Sequence, residues 1–95
     1  MSARKSRHLA EKVIPRPQLA EEIARLIGRR ELAQVRAAEI VNDSPSQLSL
    51  LLNGQIAGFS AERLIRMLTL LGVDVDVVLR ERTDATPGQV RIRRR

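Results

Sequence analysis

Residues 44–54 read Ser44-Pro45-Ser46-Gln47-Leu48-Ser49-Leu50-Leu51-Leu52-Asn53-Gly54, and this stretch decides the fold. A serine hydroxyl before a helix accepts from the free amides of its first turn, and proline at the first helical position gives up no needed donor. The stretch therefore predicts a helix from Pro45 to about Leu52. Projected at about 100° per residue, Leu48, Leu51 and Leu52 share one face, while Ser46, Ser49, Leu50 and Asn53 point the other way. That outer face carries no charge. Gly54 after Asn53 suits a left-handed stop.

Working outward, a helix from about Ala33 to Val41 precedes it, with Val35, Ala38 and Val41 at three-residue spacing and Arg36 and Glu39 left to solvent. Asn42-Asp43 forms the break between the two. Earlier still, Leu19, Ile23, Leu26 and Ile27 recur at i, i+4, i+7 and i+8, with Pro17 in the first turn and Gly28 near the end. On the other side, residues 55–59 form a loop leading to Ser60, a capping residue for a last helix. There Leu64, Met67, Leu68 and Leu71 align, Ile65 widens the stripe, Glu62 sits near the positive end and Gly72 terminates the run. Phe59 is placed to staple the loop onto that helix rather than to wedge between bases.

A short helix, a turn of a few residues and a second short helix with one apolar and one small-polar face make a helix-turn-helix. Ala37 and Ala38 keep the first helix thin at the crossing, and Leu48 and Leu51 supply the seam. The second helix can then enter a major groove about 12 Å wide while the first lies across the backbone.

Composition narrows the function. The chain has 95 residues, enough for one small domain with tails, and 17 Lys+Arg against 11 Asp+Glu give a net charge of +6. Such a balance favours a polyanionic partner. Residues 1–18 carry five Lys/Arg and one Glu, residues 19–86 carry eight basic and ten acidic groups, and residues 87–95 carry four Arg. The excess thus belongs to the two ends, read as mobile basic arms. Phe59 is the sole aromatic, too little for the stacking platforms that hold single strands. Double-stranded DNA needs none.

Other classes drop out. The absence of cysteine excludes disulfides, thiolate zinc sites and a cysteine nucleophile, as in a reducing compartment. No run approaches the roughly 18 apolar residues that span a bilayer, and no apolar signal segment follows the basic start. His8, among Arg4, Lys5, Arg7 and Lys12, reads as solvated. With no paired carboxylate or His/Ser constellation, and no further ligand converging on Asp74 and Asp76, no enzyme, cofactor or metal site is expected.

After Gly72, Val73-Asp74-Val75-Asp76-Val77-Val78-Leu79-Arg80 alternates apolar and acidic residues before turning continuously apolar, predicting one β-strand over 73–82. A lone strand leaves its backbone unpaired. It requires a second copy of the chain, with Val73, Val75, Val77, Val78 and Leu79 at the seam, or a hairpin in which Val90, Arg91 and Ile92 return after Pro87-Gly88. The dimer is preferred because two-fold symmetry doubles the half-site that one helix-turn-helix reads, with reading helices about 34 Å apart. The expected architecture is all-α, a domain of four to five helices over 17–72 with one C-terminal strand over 73–82, a basic arm over 1–16 and a basic tail over 83–95.

Gln34, Ala37-Ala38, the run from Ser44 to Leu51-Leu52-Asn53-Gly54, then Gly58-Phe59-Ser60, Arg63-Leu64, Leu71-Gly72 and the segment from Asp74 to Leu79 together resemble the phage-repressor-like, Xre-type helix-turn-helix family. Within it, the chain is similar to compact antitoxins of HigA type. The resemblance covers roughly 17–80 and implies a phage-repressor-type fold and a cytoplasmic, bacterial or phage-encoded homodimer. Such a dimer represses a palindromic operator and neutralises a RelE- or HigB-like ribonuclease toxin. It assigns Gln34 to a phosphate contact and has Asn53, Gly54 and Gln55 grip the DNA backbone through side chains and free amides. Pro45, Ser46, Gln47, Ser49 and Leu50 fall at groove-facing positions.

Chemistry gives these positions content. Gln47 can bridge adenine N6 and N7, the serines donate or accept, and Pro45 and Leu50 can meet thymine methyls. Ser44 is a cap first and a phosphate donor second. Two features depart from the family. Val41-Asn42-Asp43 lacks the usual turn glycine, so Asn42 must go left-handed, and no Arg or Lys stands in the reading helix. Attraction to phosphate therefore falls to Arg29, Arg30, Arg36, Arg63, Arg66 and the arms. Two other readings stay open: a stand-alone or phage-derived regulator of the same type, and a protein-interaction module in which Leu50 and the strand bind a partner.

Overall fold

A computed structural model describes residues 13–95, and within them the chain forms four helices: α1 (Arg16–Arg29), α2 (Gln34–Ile40), α3 (Pro45–Leu52) and α4 (Ala61–Leu70). The N-terminal basic cluster and His8 lie outside the described residues. Of the expected arm over 1–16, Ile14 is half-buried against the core and Arg16 opens α1.

The apolar stripes explain the packing. α1 lies on α4 and on α3, and α2 lies on α3. Leu19, Ile23, Leu26 and Ile27 from α1 meet Leu64, Met67, Leu68 and Leu71 around α4, with Leu48 and Leu51 of α3 and the ring of Phe59 closing the core. Two arginines fix the register of α1 on α4. Arg16 Nη1 donates to the carbonyl of Phe59 at 2.8 Å, just before α4, and Arg30 Nη1 donates to the carbonyl of Leu71 at 2.7 Å, just after it. Starts meet starts and ends meet ends, so the two helices run side by side in the same direction.

The inward face of α2 differs from the one read off the sequence. Ala37, Ala38 and Val41 are buried, while Val35 is 62% exposed. The three-residue spacing drifts off a 3.6-residue period, and the Ala37–Val41 step of four follows it. The small alanines let α2 approach α3 closely.

All four helices end in the same hydrogen-bonded motif, with one residue of positive φ just beyond the last turn. These residues are Glu31 (φ 53°), Asn42 (φ 57°), Gly54 (φ 80°) and Gly72 (φ 84°). The next amide reaches back to the helix in every case: Leu32 to Ile27, Asp43 to Ala38, Gln55 to Leu50 and Val73 to Leu68. Asn42 and Gly54 adopt the conformations the sequence predicts. At α1 the motif falls on Glu31, because the helix runs through Gly28.

The expected strand over 73–82 does not form, nor does the hairpin over 90–92; no residue among those described belongs to a strand. Val73 is half-buried, packs on the core and spends its amide on closing α4. Among the described residues the remaining backbone has no antiparallel or parallel neighbour, and an alternating pattern alone supplies none. The seam residues Val73, Val75, Val77, Val78 and Leu79 thus lie on backbone that is not a strand. Val77, Val78 and Leu79 are 82%, 78% and 90% exposed.

The tail instead makes two kinds of contact. Asp84 takes Arg82 Nε and Nη2, each at 3.0 Å, with Thr86 Oγ1 at 2.6 Å and the Thr86 amide at 3.1 Å. The Arg82 guanidinium, followed by the Thr86 donors, lowers this exposed carboxyl from 3.8 to about 2. Farther on, Ile92 is half-buried against the core, and Arg94 comes within 3.6 Å of Glu22 on α1.

Candidate nucleic-acid interface

The candidate reading surface is the outer side of α3. Ser44 Oγ accepts the amide of Gln47 at 3.2 Å and lies 3.2 Å from Ser46 Oγ, so the helix start is closed by its own cap. Leu48 and Leu51 pin the inner side to the core. Pro45, Ser46 and Leu50 are exposed, and Gln47 and Ser49 are half-buried on the flanks. Among the described residues no charged side chain belongs to α3.

Asp43 and Arg63 brace this surface from behind. Arg63 Nη2 pairs with Asp43 Oδ2, and Asp43 Oδ1 accepts the amide of Ser44 at 2.9 Å. The same guanidinium donates through Nη1 to the Gly58 carbonyl at 3.3 Å and lies 4.2 Å over the centroid of the Phe59 ring. Its Nη2 also reaches Gln47 Oε1 at 3.5 Å. One side chain thus joins the start of α4, the loop before it, the turn before α3 and a side chain of α3. The sequence marks Arg63 as a family-pattern position and a positive charge, not as a brace. Its side-chain partners Gln47 and Asp43 lie 16 and 20 residues away, beyond any helical period.

The other predicted positions flank α3. Gln34, the first residue of α2, and Arg36 are exposed. Asn53, Gly54 and Gln55 follow α3, but their amides are not free: they donate to Ser49 and Leu50, to Leu51 and to Leu50, respectively, closing the helix. Asn53 Nδ2 also donates to the Ser49 carbonyl at 2.9 Å. What this corner offers outward is the Gln55 side chain and the remaining capacity of the Asn53 amide. Capping a helix and presenting its terminal amides are competing uses of the same groups.

The expected cations divide into two sets. Arg30 and Arg63 are tied into the fold through Leu71 and Asp43. Arg36 pairs with Glu39 at 3.1 Å and Arg66 with Glu62 at 3.3 Å, both exposed. Surface pairs of this kind hold their partners weakly and exchange them readily for phosphate. Arg29 is exposed at the end of α1.

Two short helices joined by a four-residue turn, with the second capped, uncharged outward and leucine-anchored inward, define a helix-turn-helix protein. The helix-turn-helix domain family matches residues 6–80. A solved structure described as an XRE family transcriptional regulator superposes with a TM-score of 0.75 at 30% identity, covering 79% of this chain and 85% of that one. No curated protein matches. The chain belongs to the helix-turn-helix family and is of the Xre type. No helix among the described residues is long and apolar enough to cross a membrane.

Proposed function

We propose that this chain is a sequence-specific, double-stranded DNA-binding transcriptional regulator that reads its operator with the outer side of α3. The observation that carries the reading is the capped, uncharged, outward-facing surface of Pro45, Ser46, Gln47, Ser49 and Leu50 on a helix anchored by Leu48 and Leu51. Uncharged donors, acceptors and methyl-sized groups are what base edges in the major groove take. This reading assigns the phosphate contacts to Gln34, Arg36, Ser44, Asn53 and Gln55, with Gly54 shaping the turn between the last two. The helical part over 17–72 supplies the reading, and the basic ends supply salt-dependent attraction.

Two copies bind a palindromic operator about a two-fold axis, joined through the exposed segment that holds Val75, Val77, Val78 and Leu79. The apolar run of three consecutive exposed residues supports that seam. Repression, and neutralisation of a RelE- or HigB-like ribonuclease toxin, rest on the resemblance to HigA-type antitoxins alone. A gene for a small basic ribonuclease beside this one supports the antitoxin role, and its absence favours a stand-alone regulator.

The decisive test is binding to a randomised duplex library followed by titration of single sites. Gln47→Ala changes base preference at one position of each half-site, and Gln34→Ala weakens binding evenly over all sequences. Equal losses at every base position for both variants overturn the assignment. A protein-interaction module is the second reading, favoured by Leu50 at 39% exposure and by the bare 77–79 run. Salt separates the two, because DNA binding loses affinity with a log–log slope of about −0.9 per neutralised phosphate while an apolar interface scarcely responds.

A further inference from the structure

We propose that Arg63 is a positioning residue that turns Gln47 into a donor toward the DNA, so that Gln47 selects guanine over adenine. This rests on α3 being the reading helix. The adenine contact requires the amide to present one acceptor and one donor side by side, to N6 and N7. A guanidinium has five donors and no acceptor, so the group facing it must be the amide oxygen. Arg63 Nη2 faces Gln47 Oε1 at 3.5 Å, a contact that favours the amide orientation with Nε2 directed away from Arg63.

Arg63 is itself held. Asp43 takes the same nitrogen, Gly58 takes Nη1 and the Phe59 ring underlies the plane. Asp43 is fixed in turn by the Ser44 amide. Gln47 is half-buried beside this assembly. The hydrogens on Nε2 remain to be offered outward. The guanine edge presents two adjacent acceptors, O6 and N7, whereas adenine places its N6 donor against an amide N–H. The arrangement supplies a guanine contact in a helix that has neither arginine nor lysine.

The test selects duplexes from a randomised library with the full-length chain and with Gln47→Ala, Arg63→Met and Asp43→Asn. Methionine keeps an apolar contact on Phe59 while removing the guanidinium donors, and asparagine at 43 loosens Arg63 without removing the arginine's charge. Gln47→Ala identifies the base position read by Gln47. There the unaltered chain favours guanine over adenine by about fivefold or more, and both Arg63→Met and Asp43→Asn bring that ratio below about twofold or invert it. Loss of the guanine preference with other positions unchanged is an effect that general weakening of the fold does not produce.

A second measurement needs no DNA. The Gln47 side-chain amide in the free protein shows restricted ¹⁵N relaxation that loosens in Asp43→Asn, with Gln55 as an internal reference. An adenine preference in the unaltered chain, an unchanged preference in both variants, or a Gln47 amide as mobile as that of Gln55 overturns the proposal. If no sequence is enriched by the unaltered chain, the reading of α3 fails first. If sequences are enriched and only these outcomes fail, α3 reads DNA without Arg63 directing it.

Discussion

Arg30 and Leu71 are joined by a 2.7 Å hydrogen bond from guanidinium to carbonyl, across 41 residues of sequence. It closes the end of α4 from the end of α1. The sequence places Arg30 among the cations that attract phosphate, but a side chain committed to a helix-terminal carbonyl contributes to the fold instead. Arg30→Met therefore lowers stability by about 1–2 kcal/mol, read as a shift of the urea midpoint, since a charge-assisted bond is lost. The same variant leaves the salt slope of DNA binding unchanged. A slope reduced by about one would reassign Arg30 to the phosphates.

Arg36 is expected to behave in the opposite way. Its pairing with Glu39 is exposed on both sides, so Arg36→Ala changes stability by less than about 0.5 kcal/mol. It reduces the salt slope by about one and weakens all duplexes alike. Titrations at several salt concentrations with two unrelated sequences check both parts.

Glu31 holds a left-handed conformation, φ 53°, at the close of α1. A side chain there meets backbone crowding that glycine avoids. Glu31→Gly raises stability by about 0.5–1 kcal/mol, and Asn42→Ala at the equivalent point after α2 lowers it by about 1 kcal/mol. Thermal unfolding of the two variants should move in opposite directions.

The exposed turn at Asp84 carries a pH dependence of its own. Its carboxyl is lowered from 3.8 to about 2, chiefly by Arg82 and then by Thr86. A depressed folded-state value stabilises the ionised turn above about pH 4, and the contribution disappears as pH falls from about 4 through 2. The carboxyl carbon resonance of Asp84 should titrate near 2 and move back toward 3.8 in Arg82→Gln. An unmoved midpoint would remove Arg82 as the principal cause.

For the proposed dimer, Val77→Lys places a charge in the middle of the seam. The full-length chain should sediment as a dimer and the variant as a monomer, with half-site binding retained. An unchanged assembly in the variant would move the seam elsewhere on the molecule.

Much of the helical part was legible because local physics writes it into short windows. Ser44 and Ser60 announce helix starts, and both hydroxyls accept the amides their positions predict, from Gln47 and Arg63. Leu48, Leu51, Leu64 and Met67 announce the buried sides. Asn42 was readable as left-handed because a turn without glycine leaves asparagine the least crowded choice. The face of α2 departs from the sequence expectation at Val35, since three-residue spacing in so short a helix does not settle its rotation. The alternating segment predicts a strand over 73–82, yet a strand exists only when another backbone accepts and donates beside it.

By itself, then, the sequence determined where the helices begin and end and which side of α3 turns outward, because caps, glycines and apolar periods act within a few residues. Tertiary structure alone decided what the arginines do. Arg16, Arg30 and Arg63 look alike along the chain, and only packing brings a helix-end carbonyl, an aspartate or a glutamine amide within reach of each guanidinium. A charge is a property of one residue, whereas the partner that orients it comes from elsewhere in the fold.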